Sequence, residues 1–383
     1  MTRFLIVVPP LVGHINPTVG VAACLRAEGH EVAFAGAGAV VHPLVGDAYR
    51  IYDCAVGLHP DRPADARGPA ALRFLWESFL VPLAEAMVPG VHAAVADFEP
   101  DVLLVDQQAL AGALVADRLG LPWATSATTS AELVDPLAGL PKVDAWVRGQ
   151  LSDLAERYGD QGVGGDLRFS RFLVLAFTTR ALVGSEDLGS AVRFVGPSIA
   201  DRPGKDLDWP WDDTRPAVLV TLGTANVDAG ERFLTACAEA VAGRPINAVV
   251  LDPAGVLGPQ PRNVLVADRV RQLSVLPRVD AVVCHGGHNT VCEALWHGVP
   301  LVVAPIRDDQ PIVADQVVAA GAGIRLRFTR AGAEQIGAAI DSVLGDASLR
   351  NAARAVGESF RQAGGASAAA QALVQLTVER TLA

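Results

Sequence analysis

Short apolar runs with no polar alternation constrain this chain more than any other feature. Residues 4–8 (FLIVV), 101–105 (DVLLV), 217–220 (AVLV) and 280–284 (DAVVC) are apolar on both faces of an extended chain. Such strands must be covered on both sides, and parallel sheets flanked by helices are the arrangement that does so. Segments of helical character fall between them: 16–28, stopped by Gly29, then 109–119, stopped by Gly120, and 230–241. Residues 31–35, 122–126, 172–176, 193–195 and 247–251 supply further strands. Strand and helix in alternation predict an α/β protein with doubly wound parallel sheets. The stretches 54–100 and 127–170 break the rhythm. They carry Phe74, Trp76, Phe79, Phe98 and Trp146 among prolines and glycines, and read as inserted helices and loops.

The length of 383 residues exceeds one typical core and suits two domains of about 190 residues each,. A stretch rich in Asp, Pro and Trp, 197–216, has neither helix nor strand period and reads as the linker between residues 1–196 and 217–365,. The Ala-rich C-terminus is helical, with a last helix at about 366–383 expected to pack back on the first domain,. A net charge of −11, with no basic run, argues against nucleic acid as a partner,. The five cysteines are scattered, without metal-ligand spacing, and read as reduced, buried thiols,. The apolar N-terminus is short and broken by Pro9-Pro10, so it reads as a first strand rather than a signal peptide,. No run of 18 apolar residues occurs, which predicts no membrane span and a cytoplasmic protein,; monomer and homodimer both stay open.

Chemistry concentrates after the run 280–284. His285-Gly286-Gly287 forms a tight turn, then Asn289, Thr290 and Glu293 follow at helical spacing. A strand that ends in Gly-Gly and opens a helix gathers free backbone N–H groups and a positive dipole end at one point, which suits a diphosphate. A second strand, 299–304, leads through Pro305 to Arg307-Asp308-Asp309-Gln310, whose carboxylate and amide groups can hydrogen-bond sugar hydroxyls. In the first half, Gly13-His14-Ile15-Asn16-Pro17 sits at the carboxyl end of the first strand, and Asp106 ends another strand on the same edge. Ligands of open α/β sheets bind at that edge. A histidine there suits a general base, and a carboxylate can hold its other ring nitrogen. Helix capping by both residues is the alternative reading.

Residues His285, Gly286, Gly287, Asn289, Thr290, Glu293, Ala294, Leu295, Gly298, Val299, Pro300, Pro305, Asp309 and Gln310 together resemble the nucleotide-sugar signature of family 1 glycosyltransferases. Among these the chain is most similar to bacterial enzymes that decorate secondary metabolites of the macrolide and polyketide type. The resemblance implies the GT-B fold: two Rossmann-like domains facing across a cleft, acceptor in the first and nucleotide sugar in the second. It implies His14 as catalytic base and Asp106 as its orienter. It places Gly223, Thr224, His285, Gly286, Gly287, Asn289 and Thr290 on the donor diphosphate, Glu293 on the ribose, and Asp309 and Gln310 on the sugar. Thr221-Leu222-Gly223-Thr224 is similar to the family's Ser-Leu-Gly-Ser/Thr turn. One segment departs from the pattern. Relatives read Trp-x-Pro-Gln-x-x-x-Leu where this chain has Arg269-Val270-Arg271-Gln272-Leu273-Ser274-Val275-Leu276. A guanidinium plane can stack on a base, so Arg269, with Gln272, is the candidate contact to the nucleobase, and the choice between thymidine and uridine donors stays open.

The resemblance implies an inverting transfer from a TDP- or UDP-sugar to a hydroxyl of an apolar acceptor such as a polyketide, macrolide or phenolic. No resident cofactor is expected, the nucleotide sugar being a co-substrate. No metal is expected either, since Asp206-Leu207-Asp208 lies in the linker and no convincing Asp-x-Asp motif occurs. A C-glycosyltransferase acting on a phenol ring, a nucleotide-sugar epimerase and a non-catalytic binding partner of the same fold are the alternatives.

Overall fold

The computed structural model describes residues 1–54, 63, 66–134, 136–159, 165–184, 188–200, 206–212, 214–223 and 230–381. The strands in chain order are β1 (Arg3–Val7), β2 (Glu31–Gly36), β3 (Arg50–Asp53), β4 (Val102–Asp106), β5 (Trp123–Ala127), β6 (Val174–Ala176), β7 (Val192–Phe194), β8 (Ala217–Thr221), β9 (Asn247–Leu251), β10 (Val264–Ala267), β11 (Ala281–Cys284), β12 (Leu301–Val303) and β13 (Gly323–Arg325). Among the described residues they make two sheets. The first has the order β3-β2-β1-β4-β5-β6-β7 and the second β10-β9-β8-β11-β12-β13, and every pairing is parallel. Each is an open, doubly wound sheet in which the strand order reverses beside the strand that starts the half: between β1 and β4, and between β8 and β11. Ligand crevices form at such reversals, outside the carboxyl ends of the strands.

The apolar runs are buried as their composition requires. Phe4 to Val8, Val102 to Val105 and Ala281 to Cys284 are all essentially inaccessible. Each sheet has a separate core on either face. In the first half, Leu5, Val7 and Val105 pack under the helices Val81–Phe98 and Leu110–Leu119, while Phe4, Ile6 and Leu104 pack against the helix Val12–Ala27. The last helix, Gly365–Thr381, contributes Ala369, Leu373 and Leu376 to that second face, so the chain returns to its first half after the helix Ala347–Ala363. Burial of these side chains, at about 25 cal/mol per Å² of apolar surface, holds the two halves in one body.

The interruption at 54–100 contains a continuous helical stretch, Gly68–Phe98, with a π-helical turn at Phe74–Leu80. By length and composition it could cross a membrane. Its Trp76, Leu80, Leu83, Met87, Val91 and Val95 instead pack into the core of the first sheet, which is how an apolar helix within an α/β half is satisfied,. Of the five cysteines, Cys54, Cys237, Cys284 and Cys292 are buried and Cys24 is partly exposed, and none is bonded to another. Burial pushes the Cys284 thiol up to about 12, so it remains protonated,.

Candidate active site

Strand ends of both sheets carry the polar residues of the cleft. β1 leads into the first turn of the helix Val12–Ala27, where His14 sits. β4 ends at Asp106, whose side chain is fully buried. His14 Nδ1 lies 2.9 Å from Asp106 Oδ1. A carboxylate only accepts, so the ring proton is on Nδ1 and the basic lone pair is on Nε2. Asp106 takes two further hydrogen bonds: from the backbone N–H of Gln108 to Oδ1 (2.9 Å) and from the Thr128 hydroxyl to Oδ2 (2.8 Å). The same hydroxyl oxygen is 2.8 Å from His14 Nδ1. Burial works against a charged ring at His14. The Asp106 carboxylate, with Asp309 and Glu132 further off, outweighs it, and the pKa rises above the ordinary 6.5,. Neither residue caps a helix with its side chain in the way the alternative reading requires: the first helix has no side-chain cap, and Asp106 spends its oxygens on His14, Thr128 and Gln108.

The second half builds a cradle. β8 and β11 are neighbours, with Thr221 beside Cys284, so Gly223 and His285 emerge side by side. A β-carbon added at Gly223 would stand 2.7 Å from His285 Cε1, and one added at Gly287 would stand 2.4 Å from His285 Nε2. The imidazole is therefore held in a slot that only two glycines leave open. Gly223 also has a positive φ of 69°, and Gly286 one of 85°, conformations that other residues rarely adopt,. His285 is buried, and desolvation lowers its pKa to about 4 despite a backbone hydrogen bond at Thr221. At neutral pH the ring is therefore uncharged. The helix His288–Trp296 starts at Gly287 without a side-chain cap, which leaves the N–H groups of its first turn for an anion,. Thr290 lies in that turn, and Thr224 lies outside the described residues.

The other expected contacts divide. Glu293 is buried and accepts a hydrogen bond from Gln272 Nε2 at 2.7 Å, which ties the ribose and nucleobase candidates together. Arg269 is exposed, whereas Arg271 is anchored by an ion pair with Asp206 at 3.0 Å. Asp206-Leu207-Asp208 thus has an ion-pairing role for its first carboxylate. Gln310 is buried, and its side-chain oxygen accepts from the backbone N–H groups of Ile306 and Arg307, so that oxygen shapes the loop. Asp309 begins the helix Gln310–Ala319 but does not cap it with its side chain. Its Oδ2 accepts the Thr129 hydroxyl at 2.6 Å. Burial, with Asp308 adding, raises its pKa. Asn289 has a partner in the other half: its Nδ2 donates to the carbonyl of Gly13 at 2.6 Å, in the turn that carries His14.

Comparison with known proteins identifies the family and the fold. A protein-family profile described as the C-terminal domain of erythromycin biosynthesis protein CIII-like proteins matches residues 248–376. The 4'-demethylrebeccamycin synthase of Lentzea aerocolonigenes is 30% identical, over 91% of this chain and 93% of that one. The crystal structure of the glycotransferase of kitacinnamycin superposes with a TM-score of 0.80 at 26% identity, covering 98% of both chains. A spinosyn rhamnosyltransferase in complex with thymidine diphosphate superposes with a TM-score of 0.79 at 25% identity, covering 97% of this chain and all of that one. The chain belongs to the family 1 glycosyltransferases.

In this glycosyltransferase, several residues with no motif of their own complete the cleft. Thr128, Thr129 and Ser130 follow β5 and are buried. Ser130 donates to Gln316 Oε1 at 2.5 Å and lies 3.2 Å from His288 Nδ1. The other nitrogen of His288 is 3.3 Å from the carbonyl of Phe177. Burial lowers the His288 pKa to about 4, so this ring is neutral in the interface between the two halves of the enzyme. Glu132, three-dimensionally close enough to act on His14, is paired with Arg168 at 3.3 Å, and Arg168 is paired with Asp166 at 2.6 Å. Thr and Ser hydroxyls are too common in sequence to mark a site, and only their partners distinguish these.

Proposed function

We propose that this glycosyltransferase moves a sugar from a TDP- or UDP-sugar to a hydroxyl of an apolar natural-product acceptor with inversion, His14 Nε2 being the general base. The observation that carries the reading is the His14–Asp106 pair at 2.9 Å at the strand reversal of the first half. The base takes the acceptor's hydroxyl proton. The oxygen attacks the anomeric carbon from the face opposite the diphosphate, the bond from that carbon to the diphosphate oxygen breaks, and nucleoside diphosphate leaves toward the cradle. There the first-turn N–H groups of His288–Trp296 and the neutral His285 receive the charge,. Residues 1–196 hold the acceptor, 217–365 the donor, and 197–216 join them. Gly223, His285, Gly286, Gly287 and Thr290 serve the diphosphate, Glu293 the ribose and Asp309 the sugar. The thymidine diphosphate bound to the spinosyn rhamnosyltransferase favours TDP-sugars.

Calorimetric titration with thymidine, uridine and guanosine diphosphates, followed by nucleotide release from the matching sugars with and without a panel of polyketide, macrolide and phenolic acceptors, tests this reading. Acceptor-dependent release with an inverted product is expected. Release that ignores acceptor overturns it. EDTA should leave turnover intact, because the cradle handles the leaving charge with hydrogen bonds. Loss of rate in EDTA that Mg²⁺ or Mn²⁺ restores would refute metal independence.

The slot around His285 gives a sharper result. Loss of one hydrogen bond to a charged group costs about 1.5–3 kcal/mol, so His285→Ala should weaken nucleotide binding about 10- to 100-fold. Gly287→Ala drives the ring from its slot, an overpacking cost of about 1–3 kcal/mol, and should weaken it about 5- to 100-fold,. In the double variant the clash is gone, so the two losses should not add. Additive losses by calorimetry would show that the glycine does not act through the ring.

A further inference from the structure

Three consecutive side chains after β5 each face different partners. All three are hydroxyls, and Thr128, Thr129 and Ser130 are exposed by only 3%, 4% and 0%. Buried hydroxyls need partners, and the choice of partner fixes the backbone that carries them. Thr128 holds the Asp106 carboxylate from the side opposite Gln108 and touches His14 Nδ1. Thr129 crosses to Asp309, and Ser130 crosses to Gln316 and His288. His288 is the first residue of the helix whose N-terminus forms the cradle, and Asp309 opens the helix that carries Gln316. One short segment therefore binds the base pair on its own half and both donor-side helices on the other. Asn289, next to His288, grips the Gly13 carbonyl just before His14.

We propose that Thr128-Thr129-Ser130 is a registering segment: Thr128 orients His14 through Asp106, and Ser130, pinned by His288 and Gln316, fixes that base relative to the donor cradle. These are positioning residues, and the proposal rests on the reading of His14 as the base. In-line transfer needs the acceptor oxygen within a narrow distance of the anomeric carbon, and a displacement of about 1 Å can cost about 10²-fold in rate. The hydrogen bonds of Ser130 supply such a constraint without touching His14 or Asp106.

The test uses the full chain with ¹⁵N-labelled histidines. The Nδ1–H resonance of His14 is identified by its loss in His14→Gln. Thr128→Val should broaden or abolish that resonance, and Thr128→Ser, which keeps the hydroxyl, should retain it. Ser130→Ala should broaden it too. Ser130→Ala should also lower turnover about 10- to 10²-fold with thymidine diphosphate affinity within about twofold of wild type, which separates misregistration from lost binding. A sharp His14 resonance and unchanged turnover in Ser130→Ala overturn the proposal. If Ser130→Ala does not fold, the Thr128 pair decides: identical spectra and rates for Val and Ser overturn it. Failure of the base reading looks different, because His14→Ala would then turn over normally whatever the resonance does in the Thr128 and Ser130 variants.

Discussion

Replacing His14 with alanine should lower transfer about 10²- to 10⁴-fold, the usual contribution of a positioned general base. His14 lies at the carboxyl end of β1, beside β4, where the first sheet reverses. Its Nδ1 is committed to Asp106, and the ring can accept a proton only at Nε2. Nucleotide affinity should survive, because the cradle belongs to the other half, so the loss should fall on kcat. The pH profile gives a second measurement. Only the neutral ring is a base, so kcat/KM of the free enzyme should rise with pH as His14 deprotonates. Asp106 holds that pKa above 6.5 in spite of burial, so the acid limb should lie above 6.5. In His14→Ala the limb should disappear along with the rate. A variant that keeps both would remove His14 from the mechanism.

The sequence was informative where a residue's role is local. The runs 4–8, 101–105 and 280–284 became β1, β4 and β11, because apolar residues on both faces leave no other place to go. Gly223 and Gly286 could be read because tight turns with positive φ need glycine,. Edge elements were harder. Arg50–Asp53 and Gly323–Arg325 are strands of four and three residues with polar members, and their register comes only from β2 and β12 beside them. The return of the last helix to the first half could be expected, but the side-chain contacts across the cleft were not legible. Thr129 and Asp309 are 180 residues apart, and Gly13 and Asn289 are 276 apart. No periodicity links such positions. Asn289 shows the consequence: nothing in its motif announced the Gly13 carbonyl, which only the nearness of the first half supplies as a partner.

Asp106→Asn should be the second large effect, and its form follows from the three donors around the carboxylate. His14 Nδ1–H and the Gln108 N–H both converge on Oδ1, and Thr128 addresses Oδ2. The Gln108 donor is backbone and cannot turn away. An asparagine must therefore place its oxygen at the Oδ1 position and its NH₂ toward Thr128, whose hydroxyl can accept as well as donate. In that orientation His14 keeps its Nδ1–H tautomer, and Nε2 remains basic in form. What is lost is charge. The imidazolium that forms on proton transfer would sit in a buried site with no counter-ion, and breaking such a pair costs about 3–5 kcal/mol, or about 10²- to 10⁴-fold in rate. The ground state shifts in the same sense. With Asp106 neutralised, burial acts on His14 against only the more distant Asp309 and Glu132, so its pKa should drop and the acid limb of kcat/KM should move to lower pH,. A lower plateau with a limb displaced to lower pH is the expected signature. An unchanged limb would mean that Asp106 holds the fold of the β4 turn and not the charge of the base.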